Sequence, residues 1–135
     1  MEAAATGGSH GLLPCRPLPY DSTTVRVGPG GGTIRVGKYG LVIPPHALSR
    51  PIDITAVAPT DSVNRVELRP EGLTFDTPVA LTMSYQNCAQ YDVTKGIAYT
   101  TDGLLILSYV PSRDDVWGKK VTGRLSHFSS YAVSW

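Results

Sequence analysis

The sequence predicts an all-β protein, an antiparallel β-sandwich of many short strands with an extended N-terminal arm. Three observations carry that expectation. Short runs in which apolar and polar residues alternate recur from residue 21 onward, the period of a strand with one face buried. Glycine (14) and proline (11) are abundant and fall between those runs as turns do. No stretch of ten or more residues keeps a helical period with caps. Turn signals every ~8–12 residues mean a sandwich or a barrel, and a sandwich is the reading taken. At 135 residues the chain is one domain, able to bury roughly two thirds of its unfolded surface. Residues 1–20 are expected to form the Pro/Gly-rich arm and residues 21–135 the sandwich.

The elements follow in order. Met1–Tyr20 is small, polar and proline-rich, without periodicity; such an arm is held only by a disulfide, an edge strand or a neighbouring subunit. Thr23–Val27 alternates as a strand, and Gly28–Gly32 breaks it, because glycine allows positive φ and tight reversal. Thr33–Val36 and Leu41–Ile43 flank Gly37-Lys38-Tyr39-Gly40, read as a hairpin loop. Pro44–Leu48 stops the second of these strands and has room for one helical turn. Ile52–Val57 and Arg65–Arg69 are the next strands, the latter with Val66 and Leu68 inward and Arg65, Glu67 and Arg69 toward water. Leu81–Tyr85 is the cleanest alternation in the chain. Ile97–Thr100, Leu104–Tyr109, Lys120–Leu125 and Tyr131–Trp135 complete the set, with Leu125–Trp135 read as one final strand.

Composition excludes several functions. Charged residues are 17% of the chain and net charge is +1, without the basic stripe a nucleic-acid binder uses to neutralise phosphates. No apolar run approaches the ~20 residues that span a bilayer, so no membrane insertion is expected. Met1–Pro14 lacks the positive and apolar regions of a signal peptide, which leaves a cytoplasmic protein or one whose leader has been removed. Cys15 and Cys88, 73 residues apart, both sit in loop-like settings. A bridge between them contributes about 4 kcal/mol in the chain-entropy model and goes with an extracellular or cell-surface protein. The alternative is two free thiols in the cytoplasm.

Three motifs stand in a telling order: Gly31-Gly32-Thr33-Ile34 leading to Leu41-Val42-Ile43-Pro44-Pro45-His46-Ala47-Leu48, then Pro70–Leu81, then His127-Phe128-Ser129. Together they resemble the ZU-five (ZU5) domain, the β-sandwich module of zonula-occludens proteins, netrin receptors and ankyrins, over about Gly30 to Trp135. His46 stands where that family usually carries glycine. The physics of each motif is visible without the family. The Pro-Pro pair forbids strand continuation, Pro70-Glu71-Gly72 is a turn, and Phe75, Val79 and Leu81 supply core bulk.

The resemblance implies one chemistry. In self-cleaving relatives a serine hydroxyl attacks the carbonyl before it, giving an ester that water hydrolyses. Here Ser129 Oγ would attack the Phe128 carbonyl with His127 as general base, a role suited to its near-neutral pKa. The bland alternative is that Phe128 is core, Ser129 and Ser130 face water, and His127 caps a loop. Other constellations fail. His10, His46 and His127 lack metal-ligand spacing with the cysteines. Gly30–Thr33 lacks the Lys-Ser/Thr of a phosphate loop. Arg113-Asp114-Asp115 reads as a solvated turn, with a calcium site as the lesser alternative. No cofactor is implied. Tyr91, Trp117 and Trp135 are the aromatic candidates for interface anchors. The expectation is therefore a non-enzymatic extracellular module that binds a protein partner, or copies of itself, through sheet edges and the arm. An arm docking on neighbouring copies would build a filament or a decorating layer. A self-cleaving domain and an intracellular scaffold domain are the alternatives.

Overall fold

The computed structural model describes residues 10–135. The strands are β1 (Asp21–Val27), β2 (Gly32–Val36), β3 (Tyr39–Ile43), β4 (Ile52–Ala58), β5 (Arg65–Arg69), β6 (Thr74–Ser84), β7 (Gly96–Thr100), β8 (Ile106–Val110), β9 (Ser112–Asp115), β10 (Lys120–His127) and β11 (Ser130–Ser134). They form two antiparallel sheets, six-stranded β1-β4-β5-β11-β7-β8 and five-stranded β2-β3-β6-β10-β9. The all-β fold read from the alternation is the fold that forms. Along β5, Val66 and Leu68 are buried while Arg65, Glu67 and Arg69 point away from the core. Along β6, Val79, Leu81 and Met83 turn inward against Leu41, Val121 and Leu125 of its neighbours. Each such side chain contributes roughly 1.5–3 kcal/mol by leaving water.

Two glycines allow close approaches, Gly31 between neighbouring segments of one sheet and Gly123 between the layers. Gly31 has φ 82°, and a Cβ there would collide with the Ile43 carbonyl oxygen. Gly123 faces inward on β10, where a Cβ would lie 3.0 Å from Ile97 and 3.1 Å from Val110 of the opposite sheet. A side chain at either place would push backbone or core apart.

Residues 10–16 lie on their own sandwich. Leu12 bridges Ser134, Leu13 N–H donates to the Val133 carbonyl at 3.0 Å, and Pro14 bridges Val63. Leu13 is wholly buried. Cys15 and Cys88 face each other in an antiparallel bridge and form a disulfide. These residues are held by the chain's own strands, and the rest of the arm, residues 1–9, lies outside the described residues.

Four local expectations are corrected. The hairpin turn is Gly37-Lys38 alone, because Tyr39 is buried and pairs with Val36 as the first residue of β3. Pro44–Leu48 is a turn without a helix. Arg113-Asp114-Asp115 is not a solvated turn but part of β9, paired with β10. Most important, the final strand is two: β10 ends at His127, Phe128 and Ser129 cross between the layers, and β11 begins at Ser130 in the other sheet.

His46 sits at φ 71° in the turn after β3, the left-handed region that glycine tolerates and other residues enter at a cost of ~1–2 kcal/mol. Its side chain is exposed, and its N–H donates to the Pro29 carbonyl at 2.8 Å, a bond that glycine would keep. His46→Gly is therefore expected to raise stability by roughly 0.5–1 kcal/mol in urea unfolding. A loss of stability would show that the imidazole itself holds the turn.

Candidate functional site

The crossover at His127-Phe128-Ser129 is clamped by a turn far away in sequence. Phe128 N–H donates to the Leu73 carbonyl at 2.9 Å, and the Phe128 carbonyl accepts from Gly72 N–H at 2.8 Å. The Ser129 carbonyl accepts from Leu68 N–H at 2.9 Å. The Phe128 ring is fully buried and meets Phe75 edge-on at 4.8 Å. Ser129 and Ser130, expected to face water, are instead buried, Ser129 in the crossover and Ser130 at the start of β11, flanked by Glu67 and Thr100 on the neighbouring strands. Ser130 Oγ donates to Asp102 Oδ1 at 2.6 Å.

His127 does not cap a loop. Its ring meets Tyr99 edge-on at 4.9 Å and lies 6.3 Å from Tyr131, whose hydroxyl donates to the His127 carbonyl at 2.6 Å. These three side chains, with Ser108 and Arg124, line a cleft of about 130 Å³. Among the described residues the imidazole makes ring contacts and no hydrogen bond to Ser129. Chemically, the Gly72 N–H is placed to polarise the Phe128 carbonyl, as self-cleavage requires, whereas the base and the hydroxyl are not paired.

The aromatic anchors separate into two kinds. Trp135 is half-buried, its ring 5.0 Å from His10 and 4.3 Å from Tyr91, so it fastens the arm to the end of β11. Tyr91 is 39% exposed beside it. Trp117, in the β9–β10 turn, is 98% exposed. Asp114 is engaged from two sides. Its carboxylate accepts the Tyr85 hydroxyl at 2.6 Å and the Lys95 N–H at 2.9 Å. The Lys95 ammonium is buried, donating to the Tyr91 and Val93 carbonyls at 2.6 and 2.7 Å, 5.3 Å from the Tyr85 ring centre. Reading the sequence missed this lysine, since a lone Lys after a polar loop carries no signal of burial.

It also missed the outer edge of β8. Leu105 is 67% exposed and Leu107 50%, with Val116 at 65% near the tip of the next hairpin. The run Leu104–Leu107 held the clue, being too apolar for a strand half covered by core.

Fold and site together describe a disulfide-tied, two-sheet antiparallel sandwich. No model of a known protein family and no curated protein sequence matches the chain.

Three tyrosines report on the integrity of this arrangement. Burial pushes the hydroxyls of Tyr39, Tyr85 and Tyr131 well above the ordinary value of 10.0; the Asp114 hydrogen bond adds to the shift at Tyr85 and the neighbouring Tyr99 at Tyr131. Because the folded values are raised, the stability these groups contribute is complete below about pH 10 and is lost as pH rises beyond it. An absorbance titration of phenolate should show these three ionising only together with unfolding, followed in parallel by circular dichroism. Ionisation of all seven tyrosines while the fold persists would contradict their burial.

Proposed function

We propose that this chain is a non-enzymatic, exported interaction module of the ZU-five kind that accepts an extended strand along the outer edge of β8, in the first instance from a second copy of itself. One observation carries the reading. Of the four strands at sheet edges, β1 holds Asp21 and Arg26, β2 holds Arg35 and β9 holds Arg113, Asp114 and Asp115, whereas β8 has no charged residue. Charge on an edge is the usual protection against strand pairing. The edge that lacks it also carries exposed Leu107, with exposed Leu105 just before it. Among the described residues no strand pairs with this outer edge.

Pairing of β8 with a second β8 is antiparallel and self-complementary, so it closes as a two-fold dimer instead of growing into a filament. The Cys15–Cys88 disulfide supports an oxidising compartment and weighs against the intracellular scaffold. The left-handed backbone at His46, where the family carries glycine, supports the ZU-five resemblance. Light scattering from micromolar to millimolar protein should show mass rising toward the dimer, and Leu107→Lys should hold it at the monomer with unchanged circular dichroism. A wild-type mass that stays monomeric across that range overturns self-pairing.

A second reading, self-cleavage at Phe128–Ser129, is favoured by the Gly72 N–H on the Phe128 carbonyl. In it, Ser129 Oγ bonds to that carbonyl carbon, the peptide C–N bond breaks to leave an ester and a free amine, and water then hydrolyses the ester. On the non-enzymatic reading, a denaturing, non-reducing intact mass is full length less the two hydrogens of the Cys15–Cys88 bridge. Loss of Ser129–Trp135, abolished in Ser129→Ala, would put self-cleavage in its place.

A further inference from the structure

The two sheets carry their charges differently. On the outer face of the six-stranded sheet the arginines are matched by carboxylates. Arg26 pairs with Asp53 at 3.0 Å, Arg65 with Glu67 at 2.8 Å and Asp61 at 3.3 Å, and Arg69 with Glu67 at 3.3 Å and Glu71 at 3.5 Å. On the outer face of the five-stranded sheet, cross-strand register places Arg35, Gly40, Thr82, Thr122 and Arg113 in one row that touches every strand. The row on one side holds Ser84, Lys120 and Asp115, with Lys38 accepting the Ser84 N–H through its carbonyl. The row on the other side runs Thr33, Val42, Ala80 and Arg124. Arg35, Lys38, Arg113, Lys120 and Arg124 thus share three rows with a single carboxylate, Asp115. Among the described residues none of these cations forms an ion pair.

The face is also shaped. Gly40 has no side chain, so the surface sinks between Arg35 and Thr82 into a hollow of about 280 Å³, rimmed by Lys38, Ser84 and Lys120. Arg35 and Arg113 stand four strand spacings apart, about 19 Å. Between them the floor is the hydroxyl pair of Thr82 and Thr122, 2.8 Å apart, either of which can turn outward as donor or acceptor.

We propose that this face is a docking surface for a linear acidic polysaccharide, a sugar chain bearing sulfate or carboxylate groups, laid across the strands over Gly40 and Thr82 from Arg35 toward Arg113. Unpaired cations at the sides fit anionic substituents, and the threonine and serine hydroxyls at the centre fit ring hydroxyls. The rows contain no aromatic ring on which a base could stack, which separates the face from a single-strand nucleic-acid platform. The disulfide agrees with a compartment where such polysaccharides are met. The surface is distinct from the β8 edge, so failure of one proposal leaves the other standing.

The probes are heparin and dextran sulfate, with uncharged dextran and a single-stranded oligonucleotide alongside, in binding titrations at several salt concentrations. Heparin and dextran sulfate should bind with an affinity that falls as salt rises, and neither the dextran nor the oligonucleotide should match them. Arg35→Ser combined with Lys120→Ser should weaken binding by about tenfold or more and flatten the salt dependence. Arg26→Ser, on the opposite sheet, should bind as wild type. Equal loss in both variants, an oligonucleotide affinity equal to that for dextran sulfate, or no binding at low salt would overturn the proposal.

Discussion

The chain passes from β10, inside one sheet, to β11, inside the other, in two residues. Everything else in the structure is arranged around that short passage. Phe128 and Ser129 leave their partners in both sheets at once, and their polar backbone would be stranded in the core without the turn at Pro70–Leu73, which takes up the Phe128 N–H and carbonyl. Phe128 itself is buried there and meets the Phe75 ring edge-on. With the crossover fixed, β11 enters the interior of the six-stranded sheet while β10 stays in the interior of the five-stranded one, each with a partner strand on both sides.

The same constraint bears on the chemistry at this place. A carbonyl that accepts a hydrogen bond from a buried N–H is both a well-satisfied core group and a polarised one, and geometry alone serves either role. What differs is the base. An imidazole held between Tyr99 and Tyr131 is positioned by ring contacts, on the cleft side of the crossover, while the serine hydroxyl lies in the buried crossover itself.

How much of this was legible in the sequence follows from where each signal resides. β5 could be read because Arg-Val-Glu-Leu-Arg writes its two faces into five consecutive residues. β9 could not, since Ser-Arg-Asp-Asp is polar throughout; its inward Asp114 is accommodated by Tyr85 and Lys95, residues far off in the chain. The crossover was hidden for a similar reason. Apolar Leu125, Phe128 and Tyr131 stand three apart, out of step with a strand, but the bend itself is held by hydrogen bonds with residues 68, 72 and 73, far off in the chain. The disulfide and its hold on the arm through Cys15 were legible from loop settings. The net charge of +1 was read correctly as a total and concealed the distribution. Alternation tells which residues of one strand share a face, whereas only sheet order brings Arg35 and Arg113 into one row.

The central place of β11 bears on the order in which the molecule can be made. β5 and β7 are its two neighbours in space, yet both precede it in the chain, and until Ser130–Ser134 has emerged from the ribosome or a translocation channel each presents an open flank. Leu12 and Leu13 must wait as well, because their partners are Ser134 and Val133. Cys15 has no such need, since Pro14 pairs with Val63 and Ala89 and the Cys15 N–H donates to the Ser62 carbonyl, all of them made before β11. Oxidation thus fastens the arm to segments already synthesised, a latch that does not depend on the strand that completes the sheet.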